Sequence, residues 1–226
     1  MPLAPSPLHR HQLVRLRDEG WREVQARPWD DEARACIGHW ATHGLPLVVT
    51  RQAARVIGSA APQPDDALAL GLAAPSCWQR RRIALTVPRR HVASFDEFPD
   101  LEAFVHALPA RRRRRWQALG TSLGAVGASP RVYGSHGWQC LTGLAYVHAG
   151  SDIDLWTAVD DAGQADAVAA LFDAFASEED APRLDGELVF ASGQAVAWRE
   201  WRAWRAGRCR AVLAKTLAGP SLVASW

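Results

Sequence analysis

A chain of 226 residues with 48% hydrophobic and 22% charged side chains has the apolar content of a folded globular protein and too much of it for a disordered one. Its length suits one large domain or two unequal ones, because single cores stop growing near ~250 residues. A net charge of +2 supplies no general basic field, so attraction to phosphate must come from local clusters and nucleic acid is not an expected partner.

The four cysteines, Cys36, Cys77, Cys140 and Cys209, lie too far apart for a zinc knuckle or redox dithiol and are expected as reduced thiols. The segment Met1-Pro2-Leu3-Ala4-Pro5-Ser6-Pro7 lacks the apolar core of a secretory signal. No apolar run approaches the ~20 residues that span a bilayer. A cytoplasmic protein without a membrane partner is the expectation.

In chain order, Trp29 to Thr42 carries Ala33, Ile37, Trp40 and Ala41 at helical spacing, with Asp30 and Asp31 near its start and Gly44 just past its end. Strands are predicted at Leu45 to Thr50 and Arg82 to Val87, and a loop at Pro62 to Asp66. The stretch from Pro88 to Pro99 reads as the boundary, giving a smaller mixed α/β domain over 1–88 and a larger one over 89–226.

Beyond it, Leu101 to Leu108 and Arg111 to Leu123 read as helices broken by Pro109. Arg131 to Tyr133 is a short strand, Gly134-Ser135 a turn, and His136 to Leu144 a helix. Asp152 to Val159 alternates as a half-buried strand does. Gln164 to Phe175 is helical, and strands at Leu184 to Phe190 and Ala195 to Arg199 flank the hairpin turn Ser192-Gly193. The fold class expected is α+β, a mixed sheet with flanking helices.

The chemistry concentrates at Asp152 and Asp154. At i and i+2 of a strand, both carboxylates leave one face while Ile153 and Leu155 enter the core. Like charges so close repel unless a cation lies between them, and magnesium accepts one or two protein carboxylates while keeping sites for water and phosphate oxygens. Gly134-Ser135, between a strand and a helix, can offer backbone N–H groups and a hydroxyl to phosphate. A third carboxylate is expected from the strand Arg183-Leu184-Asp185-Gly186-Glu187-Leu188, where Asp185 and Glu187 share a face. Asp185 is preferred because Gly186 beside it would admit substrate closely.

The order Gly134-Ser135, Asp152-Ile153-Asp154, then an acid on a later strand resembles the nucleotidyltransferase fold of DNA polymerase β and its relatives. That resemblance implies metal-assisted attack on an α-phosphorus with pyrophosphate leaving. Val132-Tyr133-Gly134-Ser135-His136-Gly137-Trp138-Gln139, Ser151-Asp152-Ile153-Asp154-Leu155, Arg183 to Leu188, Val196 to Trp201, Val212 to Thr216, and upstream Gly44 to Val49 and Arg82 to Pro88, are together similar to the phosphoribosyl-dephospho-CoA transferases of the malonate decarboxylase system.

This closer resemblance implies transfer of 2'-(5-triphosphoribosyl)-3'-dephospho-CoA to a serine of an acyl-carrier-protein subunit. It assigns magnesium to Asp152, Asp154 and Asp185, and the substrate's phosphates to Gly134, Ser135 and Lys215. The fold-level likeness alone would also fit another acceptor, whether RNA, a small molecule or a protein side chain. Arg111 to Arg115 reads as a solvated helix, or as a docking face for an acidic partner. Trp198, Trp201 and Trp204, three residues apart, read as core packing.

Overall fold

In the computed structural model the described residues are 8–52, 67–178 and 182–226, so the loop expected at 62–66 lies outside them. The chain divides into two units, Met1–Glu97 with Leu217–Gly219, and Phe98–Thr216 with Pro220–Trp226.

The first unit is built on a five-stranded antiparallel sheet of order β4-β3-β2-β1-β5, with β1 Leu13–Leu16, β2 Leu47–Val49, β3 Ala67–Ala73, β4 Arg82–Pro88 and β5 Val92–Asp96. Strict alternation in β3 and β4 buries Leu68, Leu70, Leu72, Ile83, Leu85 and Val87 on one face. Helices α1 (Asp18–Gln25) and α2 (Asp31–Thr42) pack against one another. Asp30 caps α2 by accepting from Ala33 N at 2.9 Å, and it also accepts from Arg81 at 2.7 Å, which ties the helix start to the segment entering β4. The segment 89–97, placed with the second part on sequence grounds, contributes β5, whose partner is β1.

The second unit carries a six-stranded sheet of order β11-β10-β9-β8-β7-β6. Its strands are β6 Arg131–Tyr133, β7 Ile153–Val159, β8 Leu184–Phe190, β9 Ala195–Ala197, β10 Val212–Lys215 and β11 Pro220–Val223. β7 and β8 run parallel, and the other neighbours are antiparallel. A parallel pair needs a crossover. Helix α6 (Ala162–Ala176) supplies it, capped by Asp161 accepting from Gln164 N at 2.8 Å.

Helix α6 buries Ala165, Val168, Ala169, Phe172 and Phe175 against Ile153, Leu155, Leu184 and Leu188, so one sheet face is sealed by helices. Helices α3 (Leu101–Ala107) and α4 (Ala110–Ala125) join this core through Phe104, Trp116 and Leu123. Within the arginine run, Arg113 donates to Leu108 O at 2.7 Å and Arg115 to Glu178 at 2.6 Å, while Arg112 and Arg114 are exposed.

The strand expected over 195–199 stops at Ala197. Trp198 opens helix α7 (Trp198–Arg205) instead, because Trp198 and Trp201 at i and i+3 both enter the core at 2% and 0% exposure. Trp201 also donates its indole N–H to Asp166 at 2.8 Å, and Asp166 accepts from Arg205 at 2.7 Å. Trp201→Ala should therefore lower the unfolding free energy by about 3–5 kcal/mol, the cost of a large aromatic cavity. Urea denaturation followed by circular dichroism measures it, and a loss under about 1 kcal/mol would show that α7 is not anchored through this side chain.

Candidate active site

The face of the second sheet opposite α6 gathers the polar side chains. Asp154 lies directly opposite Asp185 across the parallel β7–β8 pair and opposite Tyr133 across β6–β7, while Trp156 faces Glu187 one step further along. Period-two alternation puts Asp154 and Trp156, and likewise Asp185 and Glu187, on this face, leaving Ile153, Leu155 and Leu184 buried on the other. Asp152 immediately precedes β7. The structure thus brings Asp152, Asp154 and Asp185 to one end of the β7–β8 pair.

Gly134 closes the site from β6. It is the first residue of helix α5 (Gly134–Thr142) and sits in the left-handed region at φ 62°. A Cβ there would lie 1.9 Å from Asp154 Oδ2 and 2.8 Å from its Cγ, so the backbone touches the carboxylate and only glycine fits. The helix starts two residues before the sequence suggested, and Gly134 and Ser135 form its first turn. Its cap residue Tyr133 makes no side-chain capping bond, so first-turn N–H groups are left for an anion beside Ser135. The helix ends at Thr142 because Gly143, at φ 69°, takes the left-handed cap conformation.

Gly186 has a different role from the one expected of it. Its missing side chain makes room for the neighbouring strand, since a Cβ would stand 2.8 Å from Leu155 O, and it points away from the acidic face.

Electrostatics mark Asp154 out. Its carboxyl is pushed up from 3.8 to about 6, first by burial and then by the charges of Asp185, Asp152 and Glu187, with Arg183 acting the other way. Arg183 Nε lies 3.3 Å from Asp152 Oδ2, and Arg199 approaches Asp185 at 3.8 Å while donating to Leu184 O at 2.8 Å. Asp185 Oδ1 also accepts from Gly186 N at 2.9 Å. These two arginines are site residues that sequence reading passed over. Their signal was adjacency to the acids, Arg183 two places before Asp185 and Arg199 just after β9.

Glu187 is only 4% exposed and accepts from Lys215 Nζ at 3.0 Å. Lys215 stands on β10, three strands from β7 in the sheet order, or roughly 14 Å at ~4.8 Å per strand. Its recorded contact is with Glu187, not with the Gly134-Ser135 turn. Between the two acids on β8, Asp185 lies opposite Asp154, and Glu187 is engaged by a cation. His136 is half-buried beside Phe104, ring centroids 5.5 Å apart, and is lowered in pKa by burial and then by the charge of Arg112.

The donor set suits a hard divalent cation: carboxylate oxygens only, partly buried, and mutually repelling. Among the described residues no three acidic, histidine or cysteine side chains already form a closed metal cage. Asp152 and Asp185 are instead turned toward Arg183, Arg199 and the Gly186 amide. Among the described residues no helix is long and apolar enough to cross a membrane.

A mixed sheet with paired carboxylates at a strand end, faced by a glycine-led helix, defines a nucleotidyltransferase-like domain, here preceded by a separate α/β unit. Residues 100–225 match the Phosphoribosyl-dephospho-CoA transferase MdcG C-terminal domain, and residues 9–98 match the corresponding N-terminal domain. The chain belongs to the phosphoribosyl-dephospho-CoA transferase family and is a transferase.

Among relatives that carry the name phosphoribosyl-dephospho-CoA transferase, that of Xanthomonas campestris pv. campestris strain 8004 is 34% identical over 191 residues, 84% of each chain. That of Bradyrhizobium diazoefficiens is 36% identical over 198 residues, 86% of this chain and 82% of the relative. That of Xanthomonas axonopodis pv. citri is 36% identical over 208 residues, 92% and 90% respectively. No solved structure matches the chain.

Two outcomes follow from the burial of Asp154 among acids and from the Gly134 backbone pressed on it. A carboxyl raised in the folded state favours folding most below its unfolded value near 3.8, and that contribution is lost as pH rises through about 6. In the metal-free protein, Asp154→Asn should remove this decline and raise the thermal midpoint at pH 8 relative to wild type; an unchanged difference between pH 4 and pH 8 would contradict it. Gly134→Ala should retain the circular dichroism spectrum while cutting transferase kcat/KM by about 100-fold, the scale of an ångström-level displacement at a reacting centre.

Proposed function

We propose that the chain transfers 2'-(5-triphosphoribosyl)-3'-dephospho-CoA to a serine hydroxyl of the acyl-carrier-protein subunit of malonate decarboxylase, releasing pyrophosphate. The observation that carries this reading is the opposition of Asp154 and Asp185 across β7–β8, with Gly134 pressed on the Asp154 carboxylate. Nucleotidyl transfer requires such a geometry, in which acids and an anion-accepting helix start converge on one triphosphate. The family supplies the substrate.

In this reading Asp152, Asp154 and Asp185 hold magnesium. When bound, the cation would neutralise the triphosphate and polarise the phosphorus under attack. The chain's own residues do the positioning. Gly134 and Ser135, at the start of α5, offer N–H groups and a hydroxyl to the phosphates that leave. Asp185, half-buried opposite Asp154, orients the incoming serine and accepts its proton. Arg183 and Arg199 hold their acids in place until substrate arrives. Lys215, paired with Glu187 on the same face, neutralises that acid and keeps it out of the metal's reach.

The test is mass spectrometry of the apo carrier protein incubated with enzyme, triphosphoribosyl-dephospho-CoA and magnesium. A mass gain equal to the phosphoribosyl-dephospho-CoA group on one serine is expected, together with pyrophosphate in equal amount. Asp152→Asn and Asp154→Asn should each abolish the gain, and chelation of magnesium should suppress it reversibly. No gain with an active precursor preparation would overturn the assignment, and consumption of ATP without that precursor would point to a different donor and acceptor.

A further inference from the structure

The first unit carries a pair of histidines that the proposed chemistry does not use. His39, in the last turn of α2, and His43, its C-cap residue, stand at i and i+4, the spacing that sets two imidazoles on one side of the helix end. Their ring centroids are 4.1 Å apart with an interplanar angle of 31°. His43 Nδ1 donates to His39 O at 2.9 Å, which places the proton on Nδ1 and leaves Nε2 as a lone-pair donor facing outward. Among the described residues neither the His39 ring nor His43 Nε2 has a hydrogen-bond partner.

The pair is braced. The His39 ring lies 5.3 Å from that of Trp78 and 5.9 Å from that of Trp40, packing that restricts its rotamers. Trp78 belongs to a short 3-10 turn, Ser76–Trp78, followed by Gln79 and Arg80, both left-handed at φ 53° and 54°. Non-glycine residues hold that conformation only where surrounding structure enforces it. Here the turn is fixed by Gln79 N to Ser76 O at 3.0 Å, Arg80 N to Pro75 O at 3.1 Å and Arg81 N to Trp78 O at 3.0 Å. The pKa of the His39 imidazole is lowered by burial and then by the neighbouring His43, which favours the neutral ring that a metal ligand must be. Cys36, one turn earlier, is pushed up to about 12 by burial and remains a thiol, not a competing thiolate.

We infer that His39 and His43 form a binding site for a borderline divalent cation, of the nickel, copper or zinc class, on the first unit. Two imidazoles supply the protein ligands and water completes the shell. The site is distinct in chemistry from the carboxylate set of the second unit, which selects hard cations.

Calorimetric titration of the tag-free, full-length protein with Ni2+ should show one saturable site that excess Mg2+ does not displace. His39→Asn and His43→Asn should each lose it, whereas Asp154→Asn should keep it. His43 is exposed, so His43→Asn carries the test even if His39→Asn does not fold. At one equivalent of Cu2+, the paramagnetic resonance spectrum of the wild type should show coupling to two nitrogens. Absence of saturable Ni2+ binding, binding that survives both histidine variants, or a one-nitrogen copper spectrum would each overturn the assignment.

Discussion

Carboxylates that repel one another are gathered at the end of β7 by the register of the backbone, with Arg183 and Arg199 answering two of them, and the rest of the second unit is arranged so that this is possible. The register of the parallel β7–β8 pair sets Asp154 opposite Asp185, and the pairing of β6 with β7 brings Gly134 against the Asp154 carboxylate. The cost of burying Asp154 and of gathering these charges around it appears in its raised pKa. It is offset from the opposite face, where α6 and α7 bury Phe172, Trp198 and Trp201 on the same strands. Apolar burial of that kind stabilises by about 25 cal/mol per Å2, enough in aggregate to outweigh a local repulsion of a few kcal/mol at an effective dielectric near 20. Core and site are therefore two faces of one sheet.

Much of this was legible in the sequence, for reasons tied to particular residues. The stretch Ile153 to Val159 alternates strictly enough that its strand, and the common face of its acids, could be read directly. Leu184 to Phe190 was legible from the spacing of Leu184, Asp185, Glu187 and Leu188, and Arg131 to Tyr133 only from its place before the Gly134-Ser135 turn. Other elements carried weaker local signals. β1 spans only Leu13–Leu16 and β10 only Val212–Lys215, too short for a periodicity to declare itself. β5, Val92–Asp96, is nearly all exposed, and its strand character comes from pairing with β1, not from its own composition. The tryptophans at 198, 201 and 204 were visible as a pattern, but a strand preceding them masked the helix start at Trp198.

At the site, sequence order could nominate Asp152, Asp154 and Asp185, because spacing along a strand determines the face. It could not show which charges answer them. That Arg183 turns to Asp152, Arg199 to Asp185 and Lys215 to Glu187 depends on the sheet order β10-β9-β8-β7, which is a tertiary fact. Lys215 illustrates the limit. As the chain's single lysine it invited a role at the phosphates, and its position over Glu187 follows only from the intervening strand β9. Gly186 was likewise read as an opening for substrate, whereas strand packing against Leu155 O accounts for it.

The parallel register also constrains how the chain can acquire activity. Asp154 and Asp185 meet only after α6 has formed and carried the chain back across the sheet, a non-local closure that comes late in the folding of such topologies. Until β8 docks, Asp154 has no opposing acid, and a chain halted before β8 leaves the ribosome can seal part of its core and still present half of its centre. Because side chains alternate with period two, a one-residue insertion or deletion at the start of β8 would present Gly186 to the reacting face and send Asp185 inward. Evolution of this strand is thereby restricted to substitution, while length change is left to the turns that follow it.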